Sequence, residues 1–302
     1  MTRLSVPFLV RFVVPFLVRF VVRFVAPTTA PARAGTAASV PKENPMSKAS
    51  LLYVQWPDGL LPHGAAWDAI RRAVDAAGAD LLVTNEMPFG PWFPLTPDYD
   101  AAAAERSVAL HEAALDALAG LQVGAVVSSR PVPFGGRLAN EAFVLEGGRY
   151  RYLHHKKFFP EEPGWHEASW FARGRDGFEC VRVGKLTLGV LLCTELFFNE
   201  HARGYGRAGA DVIVTPRATG LRSAHWKTAG AMAAIVSGAV FVSSNRRGAV
   251  GPSPEFGGTG FAMSTTGELL GETSDAAPLR AVTVDLDLTR ASKLDYPCYV
   301  RT

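Results

Sequence analysis

The sequence predicts an α/β domain with a mixed sheet system and covering helices. Short runs of branched aliphatic residues alternate with longer segments whose apolar residues recur at helical spacing. Some of these runs are separated by helices and others by short turns such as Gly147-Gly148, which predicts both parallel and antiparallel neighbours. After the N-terminal segment is set aside, about 250 residues remain, enough for one domain with a buried core.

The pattern places the elements in the following order. Strands are expected at 51–55, 80–85, 123–128, 141–145, 150–153, 179–183, 186–192, 211–214, 240–244, 260–264 and 281–286. Helices are expected at 67–77, 99–119, 200–208 and 223–237. The stretch from Pro88 to Pro97 is rich in proline and aromatic residues and predicts a loop.

Residues 1–45 differ from the rest of the chain. The octapeptide Val6–Val13 is repeated as Val14–Val21, and an Ala/Pro/Thr-rich stretch follows. Arginines interrupt every apolar run, so none approaches the ~20 apolar residues of a spanning helix. Three interpretations stay open: a degenerate targeting peptide, an amphipathic membrane-surface arm, or translated upstream sequence before a start at Met46, which we favour. We therefore predict an extension at 1–45 and one folded domain at 46–302.

Charge and cysteine content exclude several function classes. The first 45 residues contain six basic residues and one acidic residue, a net charge of +5, whereas the whole chain carries +3, which leaves −2 for the domain. The domain therefore offers no basic patch for nucleic acid. Its three cysteines, Cys180, Cys193 and Cys298, show no metal-ligand spacing, which predicts free thiols, a cytoplasmic location and no metal.

Three residues near strand ends form a candidate catalytic group. Cys193 follows the apolar run 186–192, Glu86 follows the strand at 80–85, and Lys156 follows the strand at 150–153. A thiol nucleophile, a carboxylate base and a fixed cation are suited to acyl transfer through a thioester, and the N–H of Thr194 would be a second oxyanion donor. A buried cysteine, a capping glutamate and a surface lysine would explain the same residues without catalysis.

Three sequence motifs resemble those of the nitrilase superfamily of carbon–nitrogen hydrolases. They are Asn85-Glu-Met-Pro-Phe-Gly90, His155-Lys-Lys-Phe-Phe-Pro160 and Gly189-Val-Leu-Leu-Cys-Thr-Glu195. The resemblance continues through 209–214, 242–246 and 256–260, and covers about residues 49–290. It implies an α-β-β-α sandwich, commonly dimerised, with Glu86, Lys156 and Cys193 as the catalytic triad and with no cofactor.

The resemblance also implies a substrate class. The segment Pro163-Gly-Trp-His-Glu167 resembles the region of the second glutamate in amidase and carbamoyl-hydrolase branches, so Glu167 is a candidate to orient Lys156 and the substrate, or else pairs with Arg173 or Lys157. Nitrilases usually carry Trp after the nucleophile where Thr194 stands here, which favours an amide or ureide substrate. Nitrile hydrolysis and a non-catalytic binding protein of the same fold remain the alternatives.

Arg217 has two interpretations from the sequence. It follows Val212-Ile-Val-Thr-Pro216, so it stands at the end of a predicted strand, where sites of this fold class collect. Its guanidinium could hold a substrate carboxylate by a bidentate pair, or it could pair with a structural acid such as Glu195. The first interpretation predicts anionic substrates.

Overall fold

Two six-stranded mixed sheets form the centre of the structure, a computed structural model that describes residues 47–300. The extension predicted at residues 1–45 lies outside the described residues, so the domain boundary at 45/46 stays a prediction. The four-layer α-β-β-α sandwich implied by the family resemblance is confirmed.

The elements lie close to their predicted places. The strands are β1 Lys48–Val54, β2 Leu81–Val83, β3 Ala125–Phe134, β4 Arg137–Glu146, β5 Arg149–His155, β6 Val181–Val183, β7 Leu186–Val190, β8 Val212–Arg217, β9 Val240–Asn245, β10 Arg247–Gly248, β11 Phe256–Gly257, β12 Phe261–Met263, β13 Leu269–Glu272 and β14 Leu279–Asp285. The helices are α1 Gly64–Ala77, α2 Ala101–Ala119, α3 Glu167–Trp170, α4 Asn199–Arg207, α5 Ala224–Ser237 and α6 Leu286–Ser292.

Some boundaries differ from the prediction. β3 and β4 extend several residues further than expected, because they continue as a long hairpin with paired residues as far as Phe134 and Arg137. The strand expected at 186–192 ends at Val190, since a 3₁₀ turn begins at Cys193 and Leu192 is its N-cap. The sequence pattern missed the strands β10, β11 and β13 and the helices α3 and α6, which are all short.

The strand directions bring several chain segments to one edge of each sheet. The first sheet has the order β14-β1-β2-β3-β4-β5, and the second has β13-β12-β9-β8-β7-β6. Strands β2 and β3 are parallel, while β4 is antiparallel to both β3 and β5, so β2 and β5 end at the same edge. In the second sheet β7, β8 and β9 are parallel. Residues that follow these strands can therefore converge.

Alternating side chains divide each sheet between two apolar layers. The inner faces pack against each other through residues such as Leu51 and Val83 of the first sheet and Val190 and Val214 of the second. The outer face of the first sheet packs on α1 and α2. The outer face of the second packs on α4 and α5. Each buried Val or Leu contributes about 1.5–3 kcal/mol, so this layering fixes how the two sheets dock.

Candidate active site

Lys156 and Glu86 form a buried ion pair between the ends of two strands. Lys156 directly follows β5, and its Nζ lies 2.8 Å from Oε1 of Glu86, which follows β2. Neither side chain is exposed to solvent. Asn140 of β4 also donates to Glu86 Oε1, at 2.8 Å. Within residues 47–300 the second oxygen, Oε2, has no hydrogen-bond partner, so it is available to another group in the site.

Glu167 completes a triple of charges. It begins the one-turn helix α3, and its Oε2 accepts from Lys156 Nζ at 2.5 Å. The ammonium of Lys156 thus gives two of its three N–H groups to carboxylates and has one left. The Oε1 atom of Glu167 is buried, with no partner in the described part of the chain. One cation and two acids therefore meet at this point, with two carboxylate oxygens uncommitted.

Cys193 lies beside this triple, on the turn that follows β7. Its backbone has φ +50°, a left-handed conformation that non-glycine residues seldom adopt and that is most frequent at functional sites. The thiol is 3% exposed, and the backbone N–H of Ala218 donates to its sulfur. The charges of Glu86, Lys156 and Glu167 all act on this thiol. The structure thus brings together all four residues that the sequence proposes as catalytic.

The pKa values of these side chains are set by two factors. All of them are buried, and two carboxyl groups face a single ammonium. Burial opposes charge on Lys156, but the carboxylates of Glu167 and Glu86 outweigh it and raise the pKa of its ammonium. Burial, only partly offset by Lys156, raises the pKa of Glu167 to about 8. Burial and the Glu86 charge raise the pKa of the Cys193 thiol above its usual range. The resting Cys193 is therefore a neutral thiol, which would need a base in order to act as a nucleophile.

A cleft of about 230 Å³ leads from the surface to Cys193. Glu167, Cys193 and Thr194 form part of its wall, as predicted for groups that meet a substrate. The buried indole of Trp226 and the half-buried Trp165 line it as well, and Trp165 is fixed by its Nε1, which donates to Ala218 O at 3.0 Å. The exposed residues at its mouth include Glu162, Leu221, Arg222 and His225. The cleft can therefore hold a small molecule with one end against the thiol.

Arg217 lies in the interior rather than on the wall of the cleft. Its guanidinium is fully buried and donates to Ser243 Oγ at 2.6 Å, Thr219 Oγ1 at 3.0 Å and Thr259 O at 2.8 Å. Burial lowers its pKa to about 10. The alternative partner, Glu195, is bonded to His154 at 2.8 Å. Contact between Arg217 and a substrate carboxylate stays a prediction, and the bonds of its guanidinium support a structural role.

The sequence analysis assigned no role to several residues that fix the site, although two of them lie in the family-like segment 242–246. Arg246 donates to the backbone oxygens of Met87 and Gly90 and pairs with the buried Asp58, so it holds the chain after Glu86. Asn245 bonds the backbone of Thr219 through both ends of its amide. A polar residue such as Asn245 at the end of a fully buried strand was the available signal, but its partner is 26 residues away.

The described part of the chain can be compared with the requirements of a metal site and of a membrane-spanning helix. Residues 47–300 contain no group of three or more His, Cys, Asp or Glu side chains placed to hold a metal ion. No helix within them combines the length and the apolar character needed to cross a membrane.

Comparisons with known proteins identify the family of the chain and relatives of similar fold. The model of the carbon-nitrogen hydrolase family matches residues 63–294. The N-carbamoylputrescine amidase of Arabidopsis thaliana is 26% identical over 259 residues, which cover 78% of this chain and 85% of that protein. A carbon-nitrogen hydrolase of Helicobacter pylori has a similar fold, with a TM-score of 0.70, 21% identity, and coverage of 83% of this chain and 94% of that one. An amidase of Nesterenkonia sp. gives a TM-score of 0.65, 20% identity, and coverage of 81% and 92%.

Proposed function

Because the chain belongs to the carbon–nitrogen hydrolase family and hydrolyses non-peptide C–N bonds, we propose that it acts on an amide or N-carbamoyl group through a Cys193 thioester. The observation that carries this proposal is the placement of one thiol at the base of a cleft beside two carboxylates and a lysine. The relative that is an N-carbamoylputrescine amidase supports an N-carbamoyl group among the substrates.

The first half of the reaction forms the thioester. Glu86 takes the thiol proton, and the sulfur of Cys193 attacks the carbonyl carbon. The third N–H of Lys156 and the backbone N–H of Thr194 stabilise the oxygen that becomes negative. Glu86 then returns its proton to the nitrogen, the C–N bond breaks, and ammonia or an amine leaves.

The second half releases the acid. Glu86 removes a proton from water, the hydroxide attacks the thioester carbon, and the C–S bond breaks as the sulfur recovers the proton. An N-carbamoyl substrate cleaved to release ammonia would give a carbamate as its acid product. The uncommitted Oε1 of Glu167 can hydrogen-bond the substrate amide, which places the carbonyl over Cys193. No redox partner or metal is required by these steps.

The test is a screen for ammonia or amine release with amides, N-carbamoyl compounds and nitriles, with Cys193→Ala as the blank. We expect turnover of an amide or N-carbamoyl compound and none in the blank. Turnover of nitriles alone would favour the nitrilase alternative, and tight binding without turnover would favour a non-catalytic protein. A cytoplasmic location, which rests on the predicted free thiols, and assembly into dimers or larger homo-oligomers, which rests on the family resemblance, remain proposals.

A further inference from the structure

One buried carboxylate bonds the backbone beside both the nucleophile and the catalytic lysine. Glu195 lies two residues after Cys193 and is fully buried. Its Oε2 accepts from Leu192 N–H at 2.8 Å, directly before the nucleophile. Its Oε1 accepts from Lys157 N–H at 2.6 Å, directly after Lys156. The carboxylate therefore ties the turn of the second sheet to the end of β5 in the first.

His154 supplies the third donor to this carboxylate. Its Nε2 lies 2.9 Å from one oxygen of Glu195 and 2.8 Å from the other. The opposite ring nitrogen, Nδ1, is buried and has no hydrogen-bond partner among residues 47–300. This pattern assigns the proton to Nε2. A Cβ at Gly177 would lie 1.9 Å from Nδ1, and the ring of Phe178 is 4.5 Å away, so close packing holds the imidazole in place.

We propose that His154 and Glu195 are positioning residues of the hydrolase, which set the distance between the nucleophile's turn and Lys156. The proposal rests on the proposed roles of Cys193 and Lys156. Thr194, the second oxyanion donor, stands between Cys193 and Glu195, so movement of the carboxylate also moves that donor. An error of about 1 Å in such a geometry can cost about 100-fold in rate.

The adjacent histidine provides a matched comparison. His155 is also buried and also bonds a glutamate, with its Nε2 3.0 Å from Glu141 Oε2. Its Nδ1 accepts from Arg175 N–H at 3.1 Å. Glu141 lies on β4 and accepts from the Tyr150 hydroxyl, and no described contact of Glu141 reaches the turn of Cys193. Replacement of His155 therefore disturbs a similar pair without touching the link between the two sheets.

The test compares His154→Phe, which keeps a ring and removes the donor, with His155→Phe and with His154→Gln, which restores an N–H donor. Turnover, KM, the melting temperature and the rate of Cys193 alkylation by iodoacetamide are measured for each. We expect His154→Phe to lower kcat about 100-fold with little change in KM, and to slow alkylation. We expect His154→Gln to recover most of the kcat, and His155→Phe to stay within about threefold of wild type even where its melting temperature falls.

Other outcomes would overturn the proposal. Equal losses of kcat in His154→Phe and His155→Phe would show a general structural role for both pairs. If His154→Phe does not fold, Glu195→Gln decides, because one amide oxygen cannot replace two carboxylate oxygens and leaves Leu192 N–H or Lys157 N–H unpaired. Wild-type kcat in folded Glu195→Gln would contradict the proposal. Full activity of a wild-type protein whose Cys193 is completely alkylated would instead refute the proposed nucleophile, and this inference with it.

Discussion

The two sheets contribute to the site in different ways. The first sheet brings polar and charged groups that bond each other. Glu86, Lys156 and the Asn140 amide form one hydrogen-bonded network with Glu167. The second sheet brings Cys193, whose one described polar contact is the backbone N–H of Ala218. The first sheet thus contributes a group of ion-paired side chains, and the second contributes a neutral thiol on a turn with a left-handed backbone conformation.

This difference indicates that neither sheet holds a working site alone. The charges can be assembled within the first sheet and its following loop, but they act only where the second sheet places the thiol. Ser244 of β9 donates to Val83 O at 2.6 Å and accepts from Val54 N at 3.0 Å, which are direct bonds between the sheets. Sheet docking is therefore part of the catalytic geometry, and substitutions on the two sides should fail in distinguishable ways.

The largest effect is expected on the second sheet, at the nucleophile. Cys193→Ala should abolish turnover with the fold intact, because the change removes the sulfur with little loss of volume. Cys193→Ser should be nearly as inactive, since a carboxylate base does not readily activate a hydroxyl. The half-buried Cys180 provides the control, and Cys180→Ala should keep full activity. Steady-state kinetics and circular dichroism measure both, and full activity in Cys193→Ala would contradict the mechanism.

The second prediction concerns the cation of the first sheet. Lys156→Ala should lower kcat by about 10²–10³, because it removes an oxyanion donor and leaves two buried carboxylates without their counter-ion. Lys157→Ala is the control, since the ammonium of Lys157 donates to the backbone oxygens of Gly174 and Arg175 outside the cleft. We expect it to retain most of the activity. A greater loss in Lys157→Ala would show that the register of this segment has been misassigned.

The third prediction uses the protonation of the charged network. The folded pKa of Glu167 is about 8, above the ordinary value of 4.5, so between these pH values the folded state keeps a proton that the unfolded chain has lost. The free energy of unfolding should therefore fall as pH rises through this window, by at most about 1.4 kcal/mol per pH unit from this group. Urea unfolding of wild type and Glu167→Gln between pH 5 and 8 measures it. Parallel pH profiles for the two proteins would refute the shift.

The sequence predicted the strands from one kind of signal and the candidate site residues from another. Buried strands such as β7 and β8 have runs of aliphatic residues that no other element explains as well. Glu86, Lys156 and Cys193 follow such strands, and the family motifs then distinguish them from ordinary buried or surface residues. The spacing alone left both possibilities open.

The supporting contacts could not be predicted in the same way. His154 meets Glu195 across 41 residues, and Arg246 meets Asp58 across 188. Neither pair has a local pattern, because the contact exists only after the two sheets dock. Arg217 has no local pattern either, because its partners Ser243 and Thr259 come from other segments of the second sheet and its loops, and these contacts form only when that sheet assembles.

The fourth prediction tests whether the second sheet also binds substrate charge. If Arg217 holds a carboxylate, Arg217→Ala should raise KM for anionic amides far more than for neutral ones. Its three bonds to protein atoms predict a different result, a loss of about 1–3 kcal/mol of unfolding free energy with similar KM changes for both substrate types. We expect this second outcome. Arg222→Ala, at the exposed mouth of the cleft, is the control for a charge that can reach substrate without structural loss.

The smallest effect is expected from a change outside the described residues. Deletion of residues 1–45 should leave kcat/KM and the melting temperature nearly unchanged, within about 0.5 kcal/mol in unfolding free energy. The physical reason is that β1 is already paired on both sides, with β14 and with β2, so the first sheet is complete from Lys48 onward. Soluble yield, kinetics and thermal unfolding of the shortened chain provide the measurement. A large loss of soluble, active enzyme would show instead that the extension packs on the domain or directs it elsewhere, and that the domain requires more than its two sheets.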